Sequence, residues 1–408
     1  MELKSHHTFT SIKAKKFGGV APELREEISK GVVRLQIIKD AAGFDRLENE
    51  WNHLAHRSNS SVYQSFAWQN QWWYRFEGNN ELRVIAFRDG SKLVGLAPMY
   101  LCREKNFGLP GRRILQLIGT TNNLRPQSTP ADKFMADIIA EPAYENEVVA
   151  MFINYLQRSS FEFDQLILSN TGEFSVIQQN LVPALNKSNL NYTAARDGAG
   201  QVLYLGSNTG IKTVDQFISE RKLQLRRQMH QLNQLIKKQD VFKVNLIHCR
   251  EELDYYFPKV MELYRQTNND SPFKDETYSS FLFDVLQSLQ SQGRLLFSVL
   301  EAKDQIVAGT ICSRQGNQIN ELLMTYDPAP SFAMYQPGNI TRFFIINLAI
   351  QHGFEKYHFS SDEHGHDDGI TKNAIRTYSV TIESASHSGK PRGLWSALQN
   401  LFGMERRY

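Results

Sequence analysis

From Val33 onward, apolar positions recur with a period of two in some stretches and near 3.6 in others, the signatures of half-buried strands and amphipathic helices. Arg34-Leu35-Gln36-Ile37-Ile38 reads as a strand. Gly43 to His56 reads as a helix carrying Phe44, Leu47, Trp51 and Leu54 on one face, and Phe66–Phe76 as a second helix. Strands are then predicted at Leu82–Phe87 and Leu93–Tyr100, joined through Asp89-Gly90, a strong hairpin signal. Residues 1–32 are polar and read as an extension or a loosely docked helix.

The same order returns more than two hundred residues later. A helix near Tyr278–Gln290 precedes strands at Leu295–Glu301, Ile306–Arg314 and Ile319–Tyr326. D-G-S-K-L-V-G-L in the first half and A-K-D-Q-I-V-A-G-T in the second share a polar turn, Leu/Ile-Val and a glycine, which predicts a duplicated unit. Pro337-Gly338-Asn339 opens a further helix that runs to Gln351 and stops at His352-Gly353. A short strand, Lys356–Phe359, leads into S-S-D-E-H-G-H-D-D-G, with six ionisable side chains and one glycine between Asp362 and Asp368.

Between the halves, residues 215–239 place Leu225, Met229, Leu232 and Ile236 on one stripe of a long helix. Arg221, Lys222, Arg226, Arg227, Lys237 and Lys238 occupy its other faces, either as a solvated surface or as a surface for a polyanion such as nucleic acid. At the C-terminus, residues 393–408 put Leu394, Trp395, Leu398, Leu401 and Phe402 together, followed by Arg406 and Arg407. That pattern suits a peripheral membrane helix, a contact with a larger complex or docking on the protein's own core.

Composition narrows the class. A chain of 408 residues exceeds one ordinary core and predicts two domains. With 41% hydrophobic and 22% charged residues it reads as soluble and folded, and a formal net charge of +3 does not by itself imply a nucleic-acid binder. Three scattered cysteines, Cys102, Cys249 and Cys312, argue against a disulfide framework and for a reducing compartment. No secretory leader or membrane span is read, so the expected location is the cytoplasm, with peripheral membrane contact through 393–408 as an addition.

Three strands, a glycine-opened helix and a further strand resemble the core of the GNAT acyltransferase fold. V-Y-Q-S-F-A-W-Q-N-Q-W-W-Y-R-F (62–76), L-V-G-L-A-P-M-Y (93–100) and G-R-R-I-L-Q-L-I-G (111–119) are similar to the N-terminal half of the CelD-like family. T-Y-D-P-A (325–329), Q-P-G-N-I (336–340) and H-G-F-E-K-Y-H-F (352–359) resemble its acyltransferase domain. The pattern is also similar to FemAB-type aminoacyl transferases, which share a double architecture and a helical arm. The resemblance implies an α/β (α+β) fold of tandem GNAT-like domains, each a mixed central sheet flanked by helices, with the long basic helix between them. The expected division is an extension at 1–32, a first domain without cofactor site at 33–205, an acyltransferase domain at 206–385 and a tail at 386–408.

The implied activity is transfer of an acyl group from acyl-coenzyme A, as co-substrate, to an amine or hydroxyl of a cell-envelope sugar, glycan precursor or lipid, by direct attack. The alternatives are an aminoacyl-tRNA-dependent ligase using the 215–239 helix, and a non-catalytic scaffold of a polysaccharide synthase complex. Gln336, Pro337, Gly338, Asn339 and Ile340 stand at the phosphate loop, where a helix N-terminus suits a pyrophosphate. They depart from the family's Q/R-x-x-G-x-G/A pattern, and Lys372, after Gly369, is a loose match to the family's aromatic–Lys pair. Asp362, His364 and His366 are the candidate bases, histidine being suited to work near neutral pH. Tyr326 and Asp327 end the third strand beside the phosphate loop, Asp327 either orienting the acceptor or starting a turn with Pro328. His364 and His366 with Asp362 or Asp367 could hold zinc or iron, but a fold of this kind needs no metal, and none is expected. Trp68, Trp72 and Trp73, at helical spacing, are expected in the core rather than as a platform for sugar rings.

Overall fold

The computed structural model describes residues 32–104, 111–120, 136–206, 211, 213–219, 242–267, 275–303, 305–329, 336–360, 370–371 and 373–384. The first half runs β1 (Val33–Ile38), α1 (Ala41–Asp45), α2 (Glu48–Arg57), α3 (Phe66–Phe76), β2 (Glu81–Asp89), β3 (Lys92–Arg103) and β4 (Arg113–Leu117). It continues with β5 (Ile139–Ala140), α4 (Glu145–Arg158), β6 (Gln165–Gly172), α5 (Val182–Leu185) and β7 (Tyr192–Tyr204). The second half opens with α6 (Val214–Ser219), β8 (Phe242–Ile247), α7 (Arg250–Thr267) and α8 (Glu276–Ser291). β9 (Leu295–Ala302), β10 (Gln305–Gln315), β11 (Gln318–Tyr326), α9 (Pro337–Gln351), β12 (Lys356–His358) and β13 (Ala374–Glu383) complete it.

All thirteen strands join one sheet in the order β1-β2-β3-β4-β6-β13-β7-β12-β11-β10-β9-β8, with β5 beside β3. Within it the two halves repeat one plan. Four antiparallel strands (β1–β4 and β8–β11) are followed by a helix and a strand parallel to the fourth, β6 on β4 and β12 on β11. The closing strands are exchanged. β7, from the first half, pairs with β12 of the second, and β13, from the second, is inserted between β6 and β7. This is a tandem GNAT-like α/β architecture, as the motifs implied.

Local chemistry accounts for the predicted elements. The Asp89-Gly90 hairpin closes with Asp89 opposite Lys92 and Gly90 at φ 59°, where a side chain would be strained. The Ser65 hydroxyl caps α3 by accepting from the Trp68 N–H at 3.3 Å. The stretch 43–56, read as one helix, is two. Leu47 N–H bonds to the Phe44 carbonyl at 3.0 Å, a tighter turn that breaks the helix while leaving Phe44, Leu47 and Trp51 in one core. The duplicated glycines also differ from a simple one-to-one match. A Cβ on Gly95 would meet Val148 of α4 at 2.6 Å, whereas one on Gly309 would meet Val260 of α7 at 2.9 Å. Ala308, packed with Ile340 of α9, takes the place of Gly95: both hairpins carry the same irregularity, which sets Gly95 opposite Phe87 and Ala308 opposite Leu300.

The largest core is shared by the halves. It gathers Phe44, Trp51, Trp68 and Trp72 from α1–α3 with Phe257, Val260, Phe281 and Leu282 from α7 and α8. Phe76 stacks on Tyr278 with ring centres 4.7 Å apart, Trp68 meets Phe281 edge-on at 5.0 Å, and Arg75 pairs with Asp284 at the rim. Trp68, Trp72 and Trp73 are all buried, so they hold α3 in place and offer no face to a sugar.

Candidate functional site

β11 and β12 run parallel but pair only over Gln318–Asn320 and Lys356–His358. Immediately beyond, Cys312 of β10 faces Glu321 while Ile311 faces Leu323, leaving Leu322 as an extra residue in β11. Such a bulge bends the strand away from its neighbour and re-aims the side chains beside it. Glu321 therefore stands where the two strands part.

At this fork Glu321 is fully buried and every oxygen is engaged. Arg342 of α9 donates Nε to Oε2 at 2.8 Å and Nη2 to Oε1 at 2.7 Å. The Tyr357 hydroxyl donates to Oε2 at 2.6 Å, and the Ser360 hydroxyl to Oε1 at 2.7 Å. The Arg342 guanidinium lies 5.1 Å from the centre of the Phe359 ring. Burial alone would raise the Glu321 carboxyl, but the Arg342 charge and the converging hydrogen bonds outweigh it and hold it below the ordinary carboxylate range. Beside it, burial pushes the Cys312 thiol and the Tyr357 phenol well above their usual values. Cys312, 3.5 Å from the Tyr357 hydroxyl, is thus a neutral thiol and not a nucleophile. The cluster is a rigid anchor tying α9 and the strand after the fork to β11.

The opposite face of the same strands carries a different set. Ser313 of β10 faces Asn320 of β11, which faces His358 of β12. His358 Nε2 lies 3.0 Å from the Gln318 side-chain oxygen, and burial with the nearby Lys356 charge pushes the imidazole down to about 4. It is uncharged at neutral pH.

At the other end of β11, Gln336 takes left-handed backbone angles (φ 46°, ψ 63°) and starts α9 without capping it through its side chain. In the first turn Pro337 has no N–H to offer, and the Asn339 N–H donates to the Gln336 carbonyl at 2.9 Å. Asn339 turns its amide back to the Gln336 side-chain oxygen at 2.8 Å. Pro337, Gly338 and Ile340 are buried. A Cβ on Gly338 would lie 2.6 Å from Met324 Sδ and 3.1 Å from the Tyr326 ring, so this glycine is required for helix–strand packing. Asp327 accepts the Ala329 N–H at 2.8 Å, closing the Asp-Pro turn, and its own N–H donates to the Val307 carbonyl. Of the sequence-derived candidates, the structure thus gathers Tyr326, Asp327 and Gln336–Ile340 at the C-terminal end of β11. Asp362, His364, His366 and Lys372 lie outside the described residues, as do most of the 215–239 helix and the 393–408 segment.

Glu321, Arg342 and Tyr357 were not singled out by sequence reasoning. The available signal was a lone glutamate in an apolar strand and a lone arginine in an apolar helix, charges that only each other can offset. A cavity of about 250 Å³ lies near the C-terminal end of α9, lined among others by Leu246, Ile319, Leu348, His352 and Phe354. No residue of the first turn of α9 lines it.

Residues 219–367 match the model of the acetyltransferase (GNAT) domain. Among solved structures, FemX superposes with a TM-score of 0.55 at 11% identity, covering 87% of this chain and 98% of that one. A conserved protein of unknown function from Bacteroides thetaiotaomicron gives 0.50 at 10% identity, over 85% of this chain and 100% of that one. No curated protein matches the sequence. The match lies in the second half of the chain and supports an acyltransferase. The fold family uses acyl-coenzyme A as co-substrate.

Proposed function

We propose that the second half binds an acyl-coenzyme A and delivers its acyl group to an amine or hydroxyl of a cell-envelope sugar, glycan precursor or lipid, in the manner of the CelD-like proteins its motifs resemble. The observation that carries this reading is the fork itself. β11 parts from β12 at a bulge, and the side-chain-uncapped start of α9 stands at the far end of the same strand. In the first half the corresponding position, next after the paired residues Ile114–Gln116, is Leu117, buried in an apolar core. Among the described residues the ion-paired anchor belongs to the second half alone, which supports an acyl donor there and a first half that only walls the acceptor side.

In this reading the pyrophosphate meets the α9 N-terminus at Gly338–Ile340, and the pantetheine arm runs along the open edge of β11 toward Glu321. The acceptor nitrogen or oxygen attacks the thioester carbonyl. Its proton passes to a base, for which His364, His366 and Asp362 are the candidates, while the C–S bond breaks and the departing thiolate is protonated. No residue becomes acylated, in keeping with the neutral Cys312.

The test is calorimetric titration of the full chain with acetyl-coenzyme A, followed by thiol release assays with glucosamine, cellobiose and phosphatidylglycerol vesicles as acceptors. Saturable binding with acceptor-dependent thiol release supports the proposal. No binding of acetyl- or longer acyl-coenzyme A refutes it. Salt-sensitive binding of tRNA in its place would move the donor to an aminoacyl-tRNA.

A further inference from the structure

The face of β10, β11 and β12 opposite Glu321 holds two buried polar atoms with no hydrogen-bond partner among the described residues, Ser313 Oγ and Asn320 Nδ2. Ser313 is 0% and Asn320 3% exposed. They are cross-strand neighbours, so their side chains stand side by side on one face, with His358 next in the row. A buried donor or acceptor left unmade costs stability, and two adjacent ones are not expected without a use.

The surroundings indicate what they wait for. The other wall comes from the first half. Gln315, on the same face two residues beyond Ser313, donates its amide to the Ser60 hydroxyl at 2.7 Å, which places residues 60–64 over this part of the sheet. Tyr63 of that segment packs against the shared core, and burial raises its phenol above the ordinary value. Along the row, Ser313, Asn320 and Gln318 are neutral, His358 is uncharged, and Lys356 at the end is the one charged side chain on these positions. Arg294, at the Gln315 end, already donates to the Gln315 side-chain oxygen and the Arg314 carbonyl, so among the described residues an ionic ligand would find no uncommitted counter-charge beside Ser313 and Asn320 to offset its desolvation. An uncharged oxygen fits. It can accept from the Asn320 amide and exchange a hydrogen bond with the Ser313 hydroxyl.

We propose that Ser313 and Asn320, with residues 60–64 as the facing wall, form an acceptor subsite that binds an uncharged oxygen, a sugar hydroxyl or an amide carbonyl. The subsite deepens the acyltransferase reading and rests on it: the donor lies on the α9 face of the fork and the acceptor is gripped on the other. It also gives the first half a part in the reaction, since its segment closes the acceptor side.

Saturation-transfer NMR on the full chain with cellobiose, which offers hydroxyls alone, and with N-acetylglucosamine, which adds an amide, tests this. Ser313→Ala and Asn320→Leu are the variants, with Tm and acetyl-coenzyme A affinity measured in parallel. The subsite predicts saturation transfer to at least one sugar in the wild type and a Kd at least tenfold weaker in both variants. It also predicts a Tm at or above wild type and unchanged acetyl-coenzyme A affinity. Preference for N-acetylglucosamine assigns the oxygen to the amide, and equal binding assigns it to the hydroxyls. Sugar binding unaltered in Ser313→Ala, no sugar binding at all, or a lowered Tm with unchanged sugar affinity (a structural water only) overturns the subsite. Loss of acetyl-coenzyme A binding already in the wild type overturns the acyltransferase reading instead, so the two failures are distinct.

Discussion

Replacing Arg342 by leucine removes the one cation among the described residues that faces Glu321 at the fork. The pair is nearly solvent-free, with side-chain exposures of 7% and 0%, and is joined by two hydrogen bonds of 2.7 and 2.8 Å. The variant leaves a carboxylate in a dry site with only the Tyr357 and Ser360 hydroxyls and the Ser360 N–H to hold it. Breaking such a pair by removing one partner costs about 3–5 kcal/mol. Spread over a cooperative unit of half this chain, that loss lowers Tm by on the order of 10 °C. The pH dependence gives a second readout. In the wild type the Glu321 carboxyl is held low, so its contribution is present above the unfolded pKa and lost as pH falls through the folded one. In Arg342→Leu the sign reverses. Burial dominates, the folded pKa rises above the unfolded value, and the deficit shrinks as pH drops and the carboxyl takes up a proton. The double variant Glu321→Leu/Arg342→Leu removes both charges and should recover most of the loss, because an apolar pair of similar volume avoids desolvation altogether. Thermal unfolding followed by circular dichroism at pH 7.5 and 5.5 reads all three chains. An Arg342→Leu chain melting within 2 °C of wild type, on the order of the smallest resolvable loss, or a double variant no better than the single, would falsify the account of the fork as a tightly coupled ion pair.

Gly338→Ala places its Cβ 2.6 Å from Met324 Sδ, so the thioether must swing aside or the start of α9 must move; we expect about 1 kcal/mol of destabilisation and a several-fold weaker acetyl-coenzyme A affinity, both relieved by adding Met324→Ala. Asp137, half-buried, accepts N–H bonds from Ile138, Val176 and Ile177 at 2.8–3.0 Å, yet burial outweighs these donors and raises its carboxyl to about 7 from 3.8. Its stabilising contribution is therefore full below the unfolded pKa and lost as pH rises toward neutrality, and urea titrations of Asp137→Asn should show a flatter pH slope between about 4 and 7 than the wild type, by about 1–2 kcal/mol.

Elements whose cause is local were readable in the chain. Phe66–Phe76 is capped by its own Ser65, and the β2–β3 hairpin is set by Gly90, so pattern and turn chemistry suffice. The glycine-opened helix and the third strand before it were found for the same reason, and with them the places of Tyr326, Asp327 and Gln336–Ile340. The anchor at Glu321 was not, because it depends on a bulge that turns a glutamate inward and on an arginine 21 residues away in α9. The row of Ser313, Asn320 and His358 escaped notice too. Alternation marks Ser313 and Asn320 as outward-facing polar positions, and only the first half, docked through Gln315 and Ser60, makes that face an interior. The exchange of β7 and β13 is equally hidden, since pairings such as Gly172 with Thr377 join residues about two hundred positions apart.

That exchange has a consequence for how the protein is made. As the chain leaves the ribosome, β6 and β7 are finished early, but the strand that belongs between them is translated after every other described strand. Until residues up to Glu383 emerge, the nascent first half carries two open hydrogen-bonding edges in the middle of its sheet, the kind of surface that recruits stray strands and chaperones. A gene cut between the halves would not yield two self-sufficient products, because each fragment would lack a strand the other encodes. If the chain arose by fusing two copies of an ancestral unit, the strand exchange has since made the fusion irreversible.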